Sequence, residues 1–112
     1  MKNFGLSNKH LEAIKLVFSK HREVDAVLIY GSRAIGNHEP SSDIDLALKG
    51  ESLDLSLQTK IEHDLDELLL PYKFDINIYN RISNPDLTEH IDRMGQEIYR
   101  RNHHGADTIS GV

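Results

Sequence analysis

The sequence contains no cysteine and no tryptophan, and aromatic residues make up only 6% of its 112 positions. Without cysteine, neither a disulfide framework nor a zinc–thiolate site can form. The scarcity of aromatic residues disfavours a stacking platform for single-stranded nucleic acid. The sequence also lacks an apolar run that could span a bilayer, and residues 1–11 lack the apolar stretch of a signal peptide. We therefore expect a cytoplasmic protein that does not contact membranes.

Basic residues are outnumbered as well, with 13 Lys and Arg against 18 Asp and Glu and a net charge of −5. A surface that grips a duplex or a tRNA needs clustered Lys and Arg, so we expect no direct nucleic-acid binding. A chain of 112 residues with 38% hydrophobic residues supports one domain with one core. We expect residues 1–101 to form this domain and the polar residues 102–112 to be a disordered tail.

Apolar periodicity predicts an α/β (α+β) domain with a small mixed β-sheet and helices packed mainly on one face. A helix is predicted from the capping residue Ser7 to Lys20, and an apolar segment, residues 25–30, reads as a buried strand. A long helix is expected over residues 52–70, where the acidic residues favour a solvated face over a metal site. The last helix is expected to begin at Asn84, to include Gly95 and to end near residue 101.

Two aspartates in the segment Asp43-Ile44-Asp45 are the first candidate site residues. Side chains on a strand alternate between faces, so Asp43 and Asp45 are expected on one face and Ile44 on the other. A carboxylate pair on a half-buried strand is costly unless a cation or water neutralises it. Mg²⁺ prefers such oxygen ligands, often together with substrate phosphates, although two solvated aspartates on an edge strand remain an alternative.

A Gly-Ser-Arg turn follows the buried strand and precedes the aspartates by ten intervening residues. Gly31 would let the backbone approach a ligand, and Ser32 would supply a hydroxyl or cap a short helix. Helix N-termini present free N–H groups that suit phosphate, and Arg33 could reach a phosphate as a planar donor. The alternative is an ordinary turn with a capping serine. In the following loop, His38 could contact phosphate or take part in proton transfer, but all seven histidines are interpreted as surface residues.

A third segment, residues 73–79, alternates strictly between apolar and polar side chains, which predicts a strand. If this strand pairs beside the one that carries Asp43 and Asp45, Asp75 joins them on the same face. Three carboxylates on neighbouring strands would make a metal site, and Asp75 could also orient or deprotonate an attacking hydroxyl. The alternative is an amphipathic strand whose polar face meets water.

The Gly31-Ser32 turn, the Asp43–Asp45 pair and the later Asp75 together resemble the minimal nucleotidyltransferases (MNT) of the DNA polymerase β superfamily. The resemblance implies the nucleotidyltransferase fold and covers nearly the whole chain. It implies catalytic and metal-binding roles for the three aspartates, with about two Mg²⁺ ions, as the two-metal scheme for such transfers requires. It further implies that the Gly-Ser-Arg turn binds ATP.

The same resemblance implies a function and a partner. Small members of the family are often encoded beside a helical HEPN protein (higher eukaryotes and prokaryotes nucleotide-binding) and act as antitoxins that attach AMP to a tyrosine of that toxin. We therefore expect transfer of AMP from ATP to a hydroxyl of a HEPN partner. Two alternatives stay open, namely a module that neutralises the partner with little or no catalysis and a small-molecule nucleotidyltransferase of the aminoglycoside type.

Overall fold

The computed structural model describes residues 3–101. The elements in chain order are α1 (Asn8–Ser19), β1 (Ala26–Tyr30), α2 (Ser32–Ile35), β2 (Ile44–Lys49), α3 (Leu55–Asp66), β3 (Phe74–Ile78), a 3₁₀ turn (Tyr79–Arg81), α4 (Pro85–Met94) and β4 (Gln96–Arg100). The expected tail, residues 102–112, lies outside the described residues. Within them, no helix has both the length and the apolar character needed to cross a bilayer.

The four strands form one mixed sheet in the order β3–β2–β1–β4. β1 pairs antiparallel with β2 on one side and with β4 on the other. β2 and β3 run parallel, because α3 carries the chain back to the same end of the sheet before β3 begins. The predicted mixed α/β architecture is confirmed, and its parallel pair decides where the aspartates meet.

Side-chain caps explain where the helices start. Ser7 caps α1 and Asn84 caps α4, each by accepting a backbone amide of the first turn, so both predicted starts are confirmed. Asp54 caps α3 in the same way, so this helix begins later than the predicted residue 52. It also ends at Asp66, earlier than predicted, and Leu69 beyond it has a φ of +56°, in the left-handed region.

The main core lies between one face of the sheet and the helices α1 and α3. Its fully buried members come from all of these elements: Ile14, Phe18, Val27, Ile29, Leu46, Leu48, Ile61 and Leu65. A smaller cluster on the opposite face joins Ile91 of α4 to Tyr30 and Ala47 of the sheet. Two of the three longer helices therefore share the main face, and α4 covers part of the face that also carries Asp45.

The prediction that the last helix continues to residue 101 is wrong. The helix ends at Met94, and Gly95 has an extended backbone with φ −65° and ψ 146°. The following segment is β4, which pairs with β1 and buries Ile98 to 9% exposure in the main core. Pairing with β4 satisfies the backbone groups that β1 would otherwise present as an open sheet edge.

Candidate active site

The parallel pairing of β2 and β3 places Asp45 directly opposite Asp75. Asp43 was predicted to lie on the strand, but it lies one residue before β2 begins. The next residue is tied to β3, because the Ile44 amide donates to the Lys73 carbonyl oxygen at 2.8 Å. Asp43 and Asp75 are exposed and Asp45 is half-buried. The structure thus brings the three predicted carboxylates to one end of the parallel pair.

The charges of these carboxylates act on each other. Burial raises the pKa of Asp45 from 3.8 to about 6, and the nearby charges of Asp75 and Asp43 add to this shift. The Asp75 side chain therefore favours the protonated form of Asp45. The three groups therefore form one acidic site, and carboxylate oxygens of this kind suit a hard divalent cation such as Mg²⁺.

Gly31 and Asp45 are in direct contact at the end of β1. Gly31 has φ 74° and ψ −154°, a conformation that side chains essentially exclude. A Cβ atom added there would lie 2.2 Å from Oδ2 of Asp45. The absence of a side chain at this turn therefore makes room for the Asp45 carboxylate.

The turn itself differs in detail from the prediction. Gly31 is the N-cap residue of α2, so Ser32 is the first helical residue and does not cap the helix. The Gly31 amide donates to Nε2 of His90 at 3.1 Å. The amides of Ser32 and Arg33 belong to the first helical turn, where no intrahelical acceptor is available. These amides, rather than that of Gly31, are the donors that the turn can offer to a phosphate.

His90 was missed by the sequence reasoning, which interpreted it as a surface residue. It is half-buried on α4, and its ring packs edge-on against Tyr30 with ring centroids 6.1 Å apart. The Tyr30 hydroxyl accepts a hydrogen bond from Asn77 Nδ2 at 3.0 Å. No local spacing signals this arrangement, because His90 lies 59 residues after Gly31.

Arg33, which the sequence predicts as a nucleotide contact, is buried in the structure. Its side chain is 2% exposed, and each of its three nitrogens donates to a backbone carbonyl. The acceptors belong to Phe4, Pro40 and Ser42. Arg33 lies on α2, and its guanidinium bonds to the loop that contains Pro40 and Ser42. His38 lies in the same region, packed against Gly5 rather than beside the aspartates.

Comparison with known proteins decides the family. The model of the polymerase beta nucleotidyltransferase family matches residues 12–104, which is most of the chain. The chain belongs to this nucleotidyltransferase family. A search of curated proteins found no match.

Solved structures support the same fold. This nucleotidyltransferase is similar to a chain in a toxin–antitoxin structure with AMP-PNP, with 20% identity, a TM-score of 0.66 and coverage of 93% of this chain and 86% of the other. It is also similar to a chain of the MntA–HepT toxin–antitoxin complex, with 15% identity, a TM-score of 0.63 and coverage of 93% and 85%. A third match is a complex of a tri-AMPylated Shewanella oneidensis HEPN toxin with its MNT antitoxin, with 17% identity, a TM-score of 0.60 and coverage of 98% and 85%.

The acidic site of this nucleotidyltransferase fits a divalent cation. Asp43, Asp45 and Asp75 offer the carboxylate oxygens that Mg²⁺ prefers, and a bound cation would offset the burial and the neighbouring negative charges that raise the pKa of Asp45. A different cluster, on α3, joins His63, Asp64 and Glu67, whose ligand atoms all lie within 4.8 Å of one another, a spacing that the three aspartates do not reach. In that cluster Asp64 already pairs with buried His21 at 2.8 Å. The α3 cluster is therefore the weaker candidate.

Proposed function

We propose that the protein is an Mg²⁺-dependent nucleotidyltransferase that moves AMP from ATP to a hydroxyl, and that the acceptor is a tyrosine of a helical HEPN-type partner. The observation that carries this proposal is the convergence of Asp43, Asp45 and Asp75 beside the Gly31 turn. Membership of the nucleotidyltransferase family supports the reaction class. The fold similarity to the AMP-PNP complex and to the complex with an AMPylated HEPN toxin supports ATP and a protein acceptor.

The transfer requires one bond to form and one to break. The acceptor oxygen bonds to the α-phosphorus of ATP while the bond from that phosphorus to the bridging β-phosphate oxygen breaks, so pyrophosphate leaves. In our proposal the exposed Asp75 accepts the hydroxyl proton, and the first-turn amides of α2 hold the phosphates.

Asp43, Asp45 and Asp75 would hold the Mg²⁺. When bound, the ion supplies the positive charge that stabilises the transferring phosphoryl group. Positioning of the two reactants and charge stabilisation then account for most of the rate enhancement.

A second function, binding of the partner without transfer, is favoured by one observation. The Gly31 amide is already engaged by His90 and Arg33 is buried, so two of the three expected nucleotide contacts are occupied within the protein. In that case the same surface would neutralise the partner by association alone.

The experiment that separates these functions uses ATP labelled at the α-phosphate. The protein is incubated with Mg²⁺, labelled ATP and the purified HEPN-type partner, and transfer is compared with that of Asp43→Asn. Loss of label on the partner with Asp43→Asn supports the enzyme, whereas tight binding without label, unchanged by the substitution, supports the binding function. Label on an added aminoglycoside but not on the partner would indicate a small-molecule acceptor.

A matched control tests the choice of metal site. The double variant His63→Ala/Glu67→Gln removes two members of the α3 cluster, both of them exposed. We expect it to transfer AMP at the normal rate. Loss of Mg²⁺-dependent transfer in this variant, with transfer retained in Asp43→Asn, would move the metal site to α3 and contradict the proposal.

A further inference from the structure

We propose that Arg33 is a positioning residue that holds the loop before Asp43 against the segment before Asp75 and so sets the geometry of the metal-binding carboxylates. This inference rests on the proposed function, because it assigns Arg33 a role in the same site. It replaces the direct phosphate contact that the sequence suggested.

The first support is the contact between Arg33 and the loop. Both Nε and Nη2 of Arg33 donate to the carbonyl oxygen of Ser42, at 3.1 and 2.9 Å, and Nη2 also donates to that of Pro40 at 3.1 Å. Ser42 is the residue directly before Asp43. The guanidinium therefore holds the backbone at the point where the chain enters the acidic site.

The second support is the contact between Arg33 and the β3 side of the site. The guanidinium carbon lies 5.2 Å from the centre of the Tyr72 ring, within the range of a cation–π interaction. Tyr72 lies three residues before Asp75, and its hydroxyl is 3.0 Å from Nδ1 of His10 on α1. One side chain thus touches the segments that lead into both Asp43 and Asp75.

The third support is energetic. Arg33 is 2% exposed, and its hydrogen bonds within residues 3–101 go to backbone carbonyls rather than to a carboxylate. A buried charge without an opposite charge is costly, and an apolar side chain would usually stabilise the fold at least as well. A planar guanidinium has donors on three nitrogens in fixed directions, so it can hold three carbonyls in a set geometry, whereas the donors of a lysine share one rotating nitrogen. The arrangement is therefore better explained by positioning than by packing alone.

The first test measures Mg²⁺ binding in the absence of nucleotide by titration calorimetry. We expect Arg33→Lys to raise the Kd for Mg²⁺ about tenfold, as the loss of groups that support metal ligands commonly does. Arg22→Lys, at an exposed position before β1, is the matched control and should bind Mg²⁺ normally. A normal Kd for Mg²⁺ in Arg33→Lys, combined with a raised KM for ATP, would overturn the proposal in favour of a direct phosphate contact.

The second test needs no metal. The Ile44 amide, which donates to Lys73 at 2.8 Å, reports on the segment that holds Asp43. In metal-free protein we expect Arg33→Lys to speed hydrogen exchange at Ile44 about tenfold while the amides of α1 exchange at the normal rate. Faster exchange throughout the chain would indicate a purely structural role and would overturn the proposal.

A second variant keeps the proposal testable if Arg33→Lys does not fold. Tyr72→Leu removes the ring beneath the guanidinium at a half-buried position. We expect a threefold rise in the Kd for Mg²⁺, which corresponds to the loss of about 0.6 kcal/mol, the low end of a cation–π interaction. An unchanged Kd in this variant would contradict the proposal. Failure of the wild-type protein to bind Mg²⁺ at all would instead contradict the proposed function.

Discussion

The carboxylate of Asp45 occupies the space that a side chain on Gly31 would need, since an added Cβ would lie 2.2 Å from its Oδ2 atom. The contact joins the two halves of the sequence motif, the turn that follows β1 and the acidic strand β2. A side chain at position 31 would therefore displace the Asp45 carboxylate. The first prediction follows from this contact.

Gly31→Ala is expected to displace the Asp45 carboxylate and to reduce AMP transfer by at least about 100-fold, because a shift near 1 Å at a reacting centre has effects of this size. Transfer to the partner and the Kd for Mg²⁺ are the measurements. Gly36→Ala is the control, since Gly36 has a φ of +79° but a Cβ there meets nothing within 4 Å. Equal losses in both variants would show that backbone strain, rather than the contact with Asp45, is responsible.

Asp45→Asn is expected to stabilise the metal-free protein. The pKa of Asp45 is raised from 3.8 to about 6 by burial and by Asp75, so the folded state binds its proton more tightly than the unfolded state. The contribution of this bound proton to the free energy of unfolding is fully present below about pH 4 and is lost as the pH rises through about 6. Because Asp45 is half-buried, solvent screening reduces the expected gain in Asp45→Asn to about 1 kcal/mol at pH 7.

Urea unfolding of the wild type and Asp45→Asn at several pH values checks this prediction. The free energies of unfolding of the wild type and Asp45→Asn should become equal at about pH 3.5, where Asp45 is mostly protonated in both the folded and the unfolded state. Saturating Mg²⁺ should stabilise the wild type and leave the variant nearly unchanged, since only a ligand that binds the folded state raises its stability. A variant that is less stable than the wild type at pH 7 without metal would be inconsistent with the raised pKa of Asp45.

His90→Phe is expected to lower the free energy of unfolding by about 1 kcal/mol, because the Gly31 amide loses its acceptor while the aromatic ring against Tyr30 is kept. Denaturant titration in metal-free buffer measures this change. His63→Phe, at an exposed position on α3, is the control and should change stability by less than about 0.5 kcal/mol. Equal stabilities of the wild type and His90→Phe would mean that water replaces the His90 acceptor without cost.

Ile98→Ala is expected to lower the free energy of unfolding by about 2 kcal/mol, since Ile98 is 9% exposed in β4 and packs into the main core. Leu16→Ala is the control, because Leu16 is a large apolar residue that is 59% exposed on α1. Thermal or urea unfolding compares the two variants. A loss near zero for Ile98→Ala would argue that β4 contributes little to the sheet.

Local patterns predicted most of the elements correctly. Ser7 and Asn84 mark helix starts because a side-chain oxygen can satisfy free amides within its own first turn. The alternation around Asp75 predicted a strand because side chains on a strand point to opposite faces in turn. These relations involve residues close together in the chain, so the sequence alone carries them.

The errors occurred where a distant segment supplies the deciding interaction. The apolar spacing up to Ile98 fits a helix, but pairing with β1 made the segment a strand. The burial of Arg33 likewise depends on distant segments, since carbonyls of Phe4 and Ser42 accept its hydrogen bonds, and its predicted nucleotide contact stays a prediction. His90 carries no local signal, because its partner Gly31 is far away in the chain.

The sequence by itself determined which residue types form the acidic site and which of them share a face, because backbone geometry dictates the alternation along β2 and β3. The tertiary structure decided that Asp45 stands opposite Asp75, that Arg33 is buried and that His90 reaches Gly31. Strand order, strand direction and the placement of α4 depend on the packing of the whole chain. These choices minimise exposed apolar surface and unpaired backbone groups together, so no short segment can encode them.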